Sequence, residues 1–204
     1  MCSNDGIAGS DRWRQATALV ATVVILTGCG SPRPADAPPA AADRPAADPS
    51  VTIALHLVDH NGLMEEVARH RGKVVVLDCW STSCPPCVKE FPGLVELAAA
   101  HPDRVQCLSL CFDYDGIGAV DDLVGPVKGF LERVGAGDVV NMLATEDADS
   151  LSEKLEIVSV PAIFIWKPDG TLAIRYDDDF AARELDRPFT YDDVAATVDR
   201  LLAE

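Results

Sequence analysis

The segment Asp78-Cys79-Trp80-Ser81-Thr82-Ser83-Cys84-Pro85-Pro86-Cys87-Val88-Lys89-Glu90-Phe91-Pro92 decides how the rest of the chain is read. It begins inside Lys73 to Trp80, where Val74-Val75-Val76-Leu77 has the β-branched character of a strand buried on both faces. It then crosses two cysteines with two residues between them and enters Val88 to Ala100. That stretch reads as an amphipathic helix with Val88, Phe91, Val95 and Ala99 on one side and Leu94 and Ala98 at its border. Two thiols so spaced at a helix N-terminus can both reach one disulfide. The first also sits where free amide N–H groups and the helix dipole stabilise a thiolate. Pro85 and Pro86 suit the position, because the first helical turn needs no N–H partner.

Other cysteine chemistries fit less well. A c-type haem site needs Cys-x-x-Cys-His, and residue 88 is Val. A zinc site would add Cys107 and Cys111 to Cys84 and Cys87, but those two lie in an apolar run of strand character. Cys107 and Cys111 are also four residues apart, roughly 13 Å on a strand, and cannot bridge each other. With Cys79 they read as small buried apolar residues. An inert structural disulfide between Cys84 and Cys87 stays open, although it does not explain why the pair follows a strand and opens a helix. Asp113-x-Asp115-Gly116 hints at a calcium loop, yet position 124, where the closing acid belongs, is Val. His56, His60, His70 and His101 form no ligand set, and the residues imply neither a metal nor a cofactor.

Working outward, Val51 to Val58 alternates as a strand and ends in the turn Asp59-His60-Asn61-Gly62. Leu63 to His70 has helical spacing. Val105 to Phe112 reads as a second buried strand, Asp121 to Val134 as a helix weakened by Gly125-Pro126 and Gly129, and Leu151 to Leu155 as a short helix. Ala162 to Trp166 and Leu172 to Tyr176 flank the turn Lys167-Pro168-Asp169-Gly170 and predict a hairpin. Asp177-Asp178-Asp179 reads as a solvated loop. Thr190 can cap a last helix over Asp192 to Leu202. The order predicts an α/β domain with a central mixed β-sheet and helices on both faces.

The first fifty residues read as an address. Arg12 and Arg14 precede the apolar run Ala16 to Leu26, too short for a membrane span and the right length for a signal core. The run ends in Leu26-Thr27-Gly28-Cys29, which resembles the bacterial lipobox. The expectation is a lipoprotein signal peptide over residues 1–28, then lipidated Cys29 with a Pro/Ala-rich linker over 29–50, then one folded domain over 51–204. Thirteen of the twenty residues from Ser31 to Ser50 are Pro or Ala, so that stretch cannot build a core. Lys plus Arg is 17 against 33 Asp plus Glu, a net charge of −16, which excludes nucleic-acid binding through a basic face.

On Trp80, Cys84-Pro85-Pro86-Cys87 and Lys89-Glu90-Phe91-Pro92, the chain resembles the extracytoplasmic TlpA/ResA-like thiol–disulfide oxidoreductases of thioredoxin fold. Val160-Pro161, just before the strand Ala162 to Trp166, matches that family's cis-proline loop. The resemblance covers about residues 51–204. It departs at Cys79 and at Ser83, where the family has aromatic residues.

The resemblance implies a thioredoxin-like fold and a redox enzyme. Cys84 would be the exposed nucleophile and Cys87 the buried resolver, Asp78 a buried base, and Glu90 an active-site acid. Trp80, Pro85, Pro86, Val160 and Pro161 would contact the substrate. Implied partners are protein disulfide or dithiol substrates and a membrane thiol donor, with a lipid anchor to the membrane. The implied direction is reduction, and the two prolines between the cysteines agree, since they offer the thiolate neither an N–H nor a charge. The alternative is a non-catalytic copper- or protein-binding module on the same fold, with Cys84 and Cys87 as soft ligands. No Pro-x-x-x-Thr-x-x-Cys motif supports a peroxidase.

Overall fold

The structure is a computed structural model and describes residues 53–204. The expected signal segment, Cys29, the linker and the first two residues of the expected domain lie outside the described residues. Among the described residues six strands form one sheet: β1 (Leu55–Val58), β2 (Val74–Trp80), β3 (Val105–Cys111), β4 (Val140–Ala144), β5 (Ala162–Trp166) and β6 (Leu172–Tyr176). Their spatial order is β1-β4-β3-β2-β5-β6. The first four are mutually parallel, β5 runs antiparallel to β2, and β6 antiparallel to β5. This is the mixed α/β thioredoxin-like fold expected above.

Each face of the sheet carries its own core, because alternate residues of the central strands point to opposite sides. Val75, Leu77 and Cys79 of β2, with Leu108 and Leu110 of β3, pack under helices α1 (His60–Arg69) and α5 (Ala148–Leu155). Val74, Val76 and Trp80, with Cys107 and Cys111, face α2 (Pro85–Glu90), α3 (Pro92–Ala100), α4 (Asp121–Val134) and α7 (Tyr191–Leu202). Cys79, Cys107 and Cys111 are buried and form no disulfide among the described residues. Burial holds the Cys107 thiol up at about 12.

Several expectations are corrected. The segment Asp59-His60-Asn61-Gly62 is no free turn: the Asp59 carboxylate accepts from the Gly62 N–H at 2.8 Å and caps α1, which starts at His60. The single helix expected over 88–100 is two, divided at Phe91, because Pro92 supplies no N–H to continue the first. Its buried residues are Phe91, Leu94, Leu97 and Ala98, while Ala99 is exposed, so the buried face is rotated from the expected one.

Strand β4 was not foreseen, because Asn141 interrupts its apolar run. Asn141 is buried without penalty: it accepts from Ser109 Oγ and donates to the carbonyls of Ala136 and Val139, each at 2.9 Å. Asp177 is no solvated loop residue. It is buried, pairs with Arg175, and caps the short helix α6 (Asp178–Phe180) through the Phe180 N–H at 2.8 Å. The helix over 121–134 forms throughout despite Pro126, burying Val127, Phe130 and Leu131.

Candidate active site

The site lies where β2 ends beside β5, at the C-terminal edge of the parallel strands, the position where open α/β sheets leave room for ligands. The chain leaves Trp80, turns through Ser81, Thr82 and Ser83, and reaches Cys84, the N-cap of α2. Pro85 and Pro86 fill the first helical positions and are exposed. Cys84 and Cys87 are joined by a disulfide with Cα atoms 5.3 Å apart. Cys84 is half-buried and Cys87 is 2% exposed, so only the first sulfur is open to a partner. The Cys87 N–H donates to Cys84 Sγ at 3.2 Å, an arrangement that favours a thiolate once the bond is reduced.

The loop before Cys84 is held from β3. Asp113 accepts from Ser81 Oγ at 2.7 Å, from the Thr82 N–H at 2.8 Å and from Thr82 Oγ1 at 2.5 Å. Opposite it, the Val160–Pro161 peptide bond is cis. The Val160 carbonyl oxygen lies 3.6 Å from Cys84 Sγ, and both Val160 and Pro161 are half-buried.

Beneath the pair, Asp78 sits on the sheet face covered by α2, α3, α4 and α7, the face on which Cys87 is buried. Tyr191, the first residue of α7, donates its O–H to Asp78 Oδ2 at 2.5 Å. Asp78 Oδ1 has no partner among the described residues. Burial pushes the Asp78 carboxyl up to about 7, opposed by the Tyr191 hydrogen bond. Burial and the neighbouring carboxylate hold the Tyr191 phenol well above its ordinary range.

Glu90 points elsewhere. Its Oε1 pairs with Lys89 at 3.1 Å and its Oε2 accepts from the Tyr191 N–H at 3.4 Å, in a groove shared with Gly93, Thr190 and Asp192. Trp80 was expected at the substrate surface and is not there. It is fully buried, packed edge-on against Phe91 at 4.9 Å between ring centroids and tilted against Phe130 at 4.7 Å. Its position on the inward face of β2 makes it a support for the join between α2 and α3.

Sequence reasoning missed Tyr191 and Asp113. The Thr190 to Asp193 capping box could have placed Tyr191 at the start of a helix, but nothing local aims its ring at residue 78. Asp113 was weighed only as a calcium ligand.

The fold and the paired thiols define a thioredoxin-fold protein with a disulfide-forming Cys-x-x-Cys. No family model matches the chain. Over 115 residues it is 26% identical to thiol-disulfide oxidoreductase ResA of Bacillus thuringiensis subsp. konkukian, and equally to that of Bacillus cereus. The match covers 56% of this chain and spans 60% of the length of each relative. The chain is thus similar to ResA thiol-disulfide oxidoreductases over the part that aligns, and that likeness agrees with the thioredoxin-like fold and the cysteine pair.

Among solved structures, a secreted Mycobacterium tuberculosis disulfide oxidoreductase homologous to E. coli DsbE is 22% identical, covering 65% of this chain and 85% of that one at a TM-score of 0.49. A thiol:disulfide interchange protein from Bacteroides sp. is also 22% identical, covering 72% and 84% at 0.48.

Proposed function

We propose that the protein is an extracytoplasmic thiol–disulfide oxidoreductase that reduces disulfides in partner proteins and is held to a membrane through lipidated Cys29. The observation that carries the reading is the asymmetry of the pair: Cys84 is open at the start of α2 and Cys87 is buried behind it. The relatives' activity as thiol-disulfide oxidoreductases supports it, and so does the expected domain order of signal peptide, linker and a domain over 51–204.

In the reduced protein the Cys84 thiolate attacks one sulfur of a partner disulfide. A mixed disulfide forms and the partner's other sulfur leaves as a thiolate. Cys87 then loses its proton to Asp78, the carboxylate on its side of the sheet, and its sulfur attacks Cys84. The Cys84–Cys87 bond forms, the bond to the partner breaks, and the partner has gained two electrons. A membrane thiol donor restores the dithiol by the reverse exchange. Val160, Pro161, Pro85 and Pro86 surround the open sulfur, and the Val160 backbone is available for strand-like pairing with the partner's chain. Glu90 acts on the site through Tyr191 rather than by touching sulfur.

The test is a Cys87→Ser chain produced with its leader. It accumulates a covalent complex with its partner that dithiothreitol releases, while Cys84→Ser captures nothing. Cys29→Ser moves the protein out of the membrane fraction. Copper binding without disulfide exchange overturns the redox reading. A midpoint for the pair at or below roughly −200 mV supports the reducing direction, and one near −120 mV reverses it.

A further inference from the structure

Tyr191 follows Asp78 by 113 positions, and three features converge on it. Its phenol donates to Asp78 Oδ2 at 2.5 Å. Its backbone N–H donates to Glu90 Oε2 at 3.4 Å and ties the start of α7 to the end of α2. Its ring packs so closely on Gly93 that a Cβ there would fall 2.3 Å from Tyr191 Cβ, so α3 leaves the ring room only because residue 93 is Gly. The second carboxylate oxygen, Asp78 Oδ1, is buried with no partner among the described residues. A buried acceptor without a donor is costly and calls for a reason.

Resting on the thiol–disulfide reading above, we propose that Tyr191 is a positioning residue for the resolving step: its phenol holds Asp78 by Oδ2 and leaves Oδ1 as the acceptor for the Cys87 proton. In the mixed disulfide the Cys87 S–H proton passes to Oδ1. The freed electron pair makes the Cys84–Cys87 bond, and the partner's sulfur leaves with the pair from the bond that breaks. The phenol also stabilises the ionised carboxylate, which burial disfavours, so it keeps a usable fraction of Asp78 charged near neutrality.

The titratable groups near Asp78 are Tyr191 from α7 and Cys107 from β3 on its own side of the sheet and Cys79, its neighbour on β2, on the other, with Glu90 of α2 reached through the Tyr191 backbone. Burial lifts Cys107 to about 12 and holds Cys79 and Tyr191 well above their ordinary values. None of these three titrates between about pH 5 and 9, so the Asp78 titration is not masked by them.

The experiment follows Asp78 in the full-length reduced chain by NMR of carboxyl-labelled aspartate, alongside the pH profile of insulin-disulfide reduction. In Tyr191→Phe the Asp78 midpoint rises by about one pH unit, the effect of losing a hydrogen bond to a charged group. Insulin reduction falls by up to about tenfold near pH 6.5 and recovers toward the wild-type rate at pH 9. In an Asp78→Asn background the Tyr191→Phe change has no further effect.

Should Tyr191→Phe fail to fold, 3-fluorotyrosine at position 191 keeps the shape and makes a stronger donor, and the Asp78 midpoint moves down. An unmoved midpoint in either variant overturns the role of Tyr191, even where the wild-type chain reduces insulin. So does a rate effect that persists in Asp78→Asn. A wild-type chain that reduces no disulfide overturns the redox reading itself, whatever Asp78 does.

Discussion

Two carboxylates flank the cysteine segment, and they do opposite things. Asp113 sits half-buried just past β3 and accepts three hydrogen bonds from Ser81 and Thr82. Asp78 is buried on β2, accepts one from Tyr191, and has no partner for Oδ1 among the described residues. A carboxylate saturated with donors fixes geometry, here the loop that delivers Cys84. One buried with few donors is instead poised between its two protonation states. The same functional group therefore serves as an anchor above the thiols and as a proton acceptor below them, and burial and partner count decide which.

The sharpest way to break that comparison is to measure stability against pH. The Asp78 carboxyl lies near 7 in the folded chain and near 3.8 as an ordinary Asp, so between those values the native state binds the extra proton. The associated stability is complete below about pH 4 and is lost as pH rises through 7. Urea unfolding of the disulfide-bonded protein at pH 5 and pH 8 should show wild type losing about 3 kcal/mol relative to Asp78→Asn across that interval. Parallel pH curves for the two proteins would mean that Asp78 is not poised at all.

A smaller effect is expected above the thiols. Asp113→Ala frees Ser81 and Thr82 and should lower stability by about 1–2 kcal/mol and slow Cys84 attack several-fold, with the pH midpoint of the reaction unchanged. A displaced midpoint would show that Asp113 also sets protonation, and the distinction between the two acids would fail.

The smallest effect is at Arg187, which is half exposed and pairs with Asp193 at 2.7 Å. That pair, with hydrogen bonds from Thr190, holds the Asp193 carboxyl down at about 2, so its contribution is present above about pH 4 and fades only as pH falls toward 2. Arg187→Ala should leave stability at pH 7 almost unchanged, as expected for a solvent-exposed ion pair, and leave disulfide exchange untouched. A large loss of exchange there would extend the site along the first turn of α7.

Much of this was legible in the sequence where the determining physics is local. The run Val74 to Leu77 makes a buried strand because β-branched side chains leave no polar face, and Cys84 to Cys87 starts a helix because two prolines suit its first turn. Lys167 to Gly170 turns because Gly170 has a positive φ of 87°, which Gly adopts freely. The wrong readings have local causes too. Asn141 hid β4, and the resemblance put Trp80 in contact with substrate because the sequence does not say which face of β2 it occupies.

The sequence alone therefore determined the cysteine pair, its place between strand and helix, and the order of most elements, since each depends on residues a few positions apart. The tertiary structure decided that Trp80 is core, that Asp113 reaches back across from β3 to hold residues 81 and 82, and that the Tyr191 phenol ends on Asp78. Those depend on strand register and on the packing of α7 over the sheet. Contacts spanning 31 and 113 positions exist only once the chain has closed on itself.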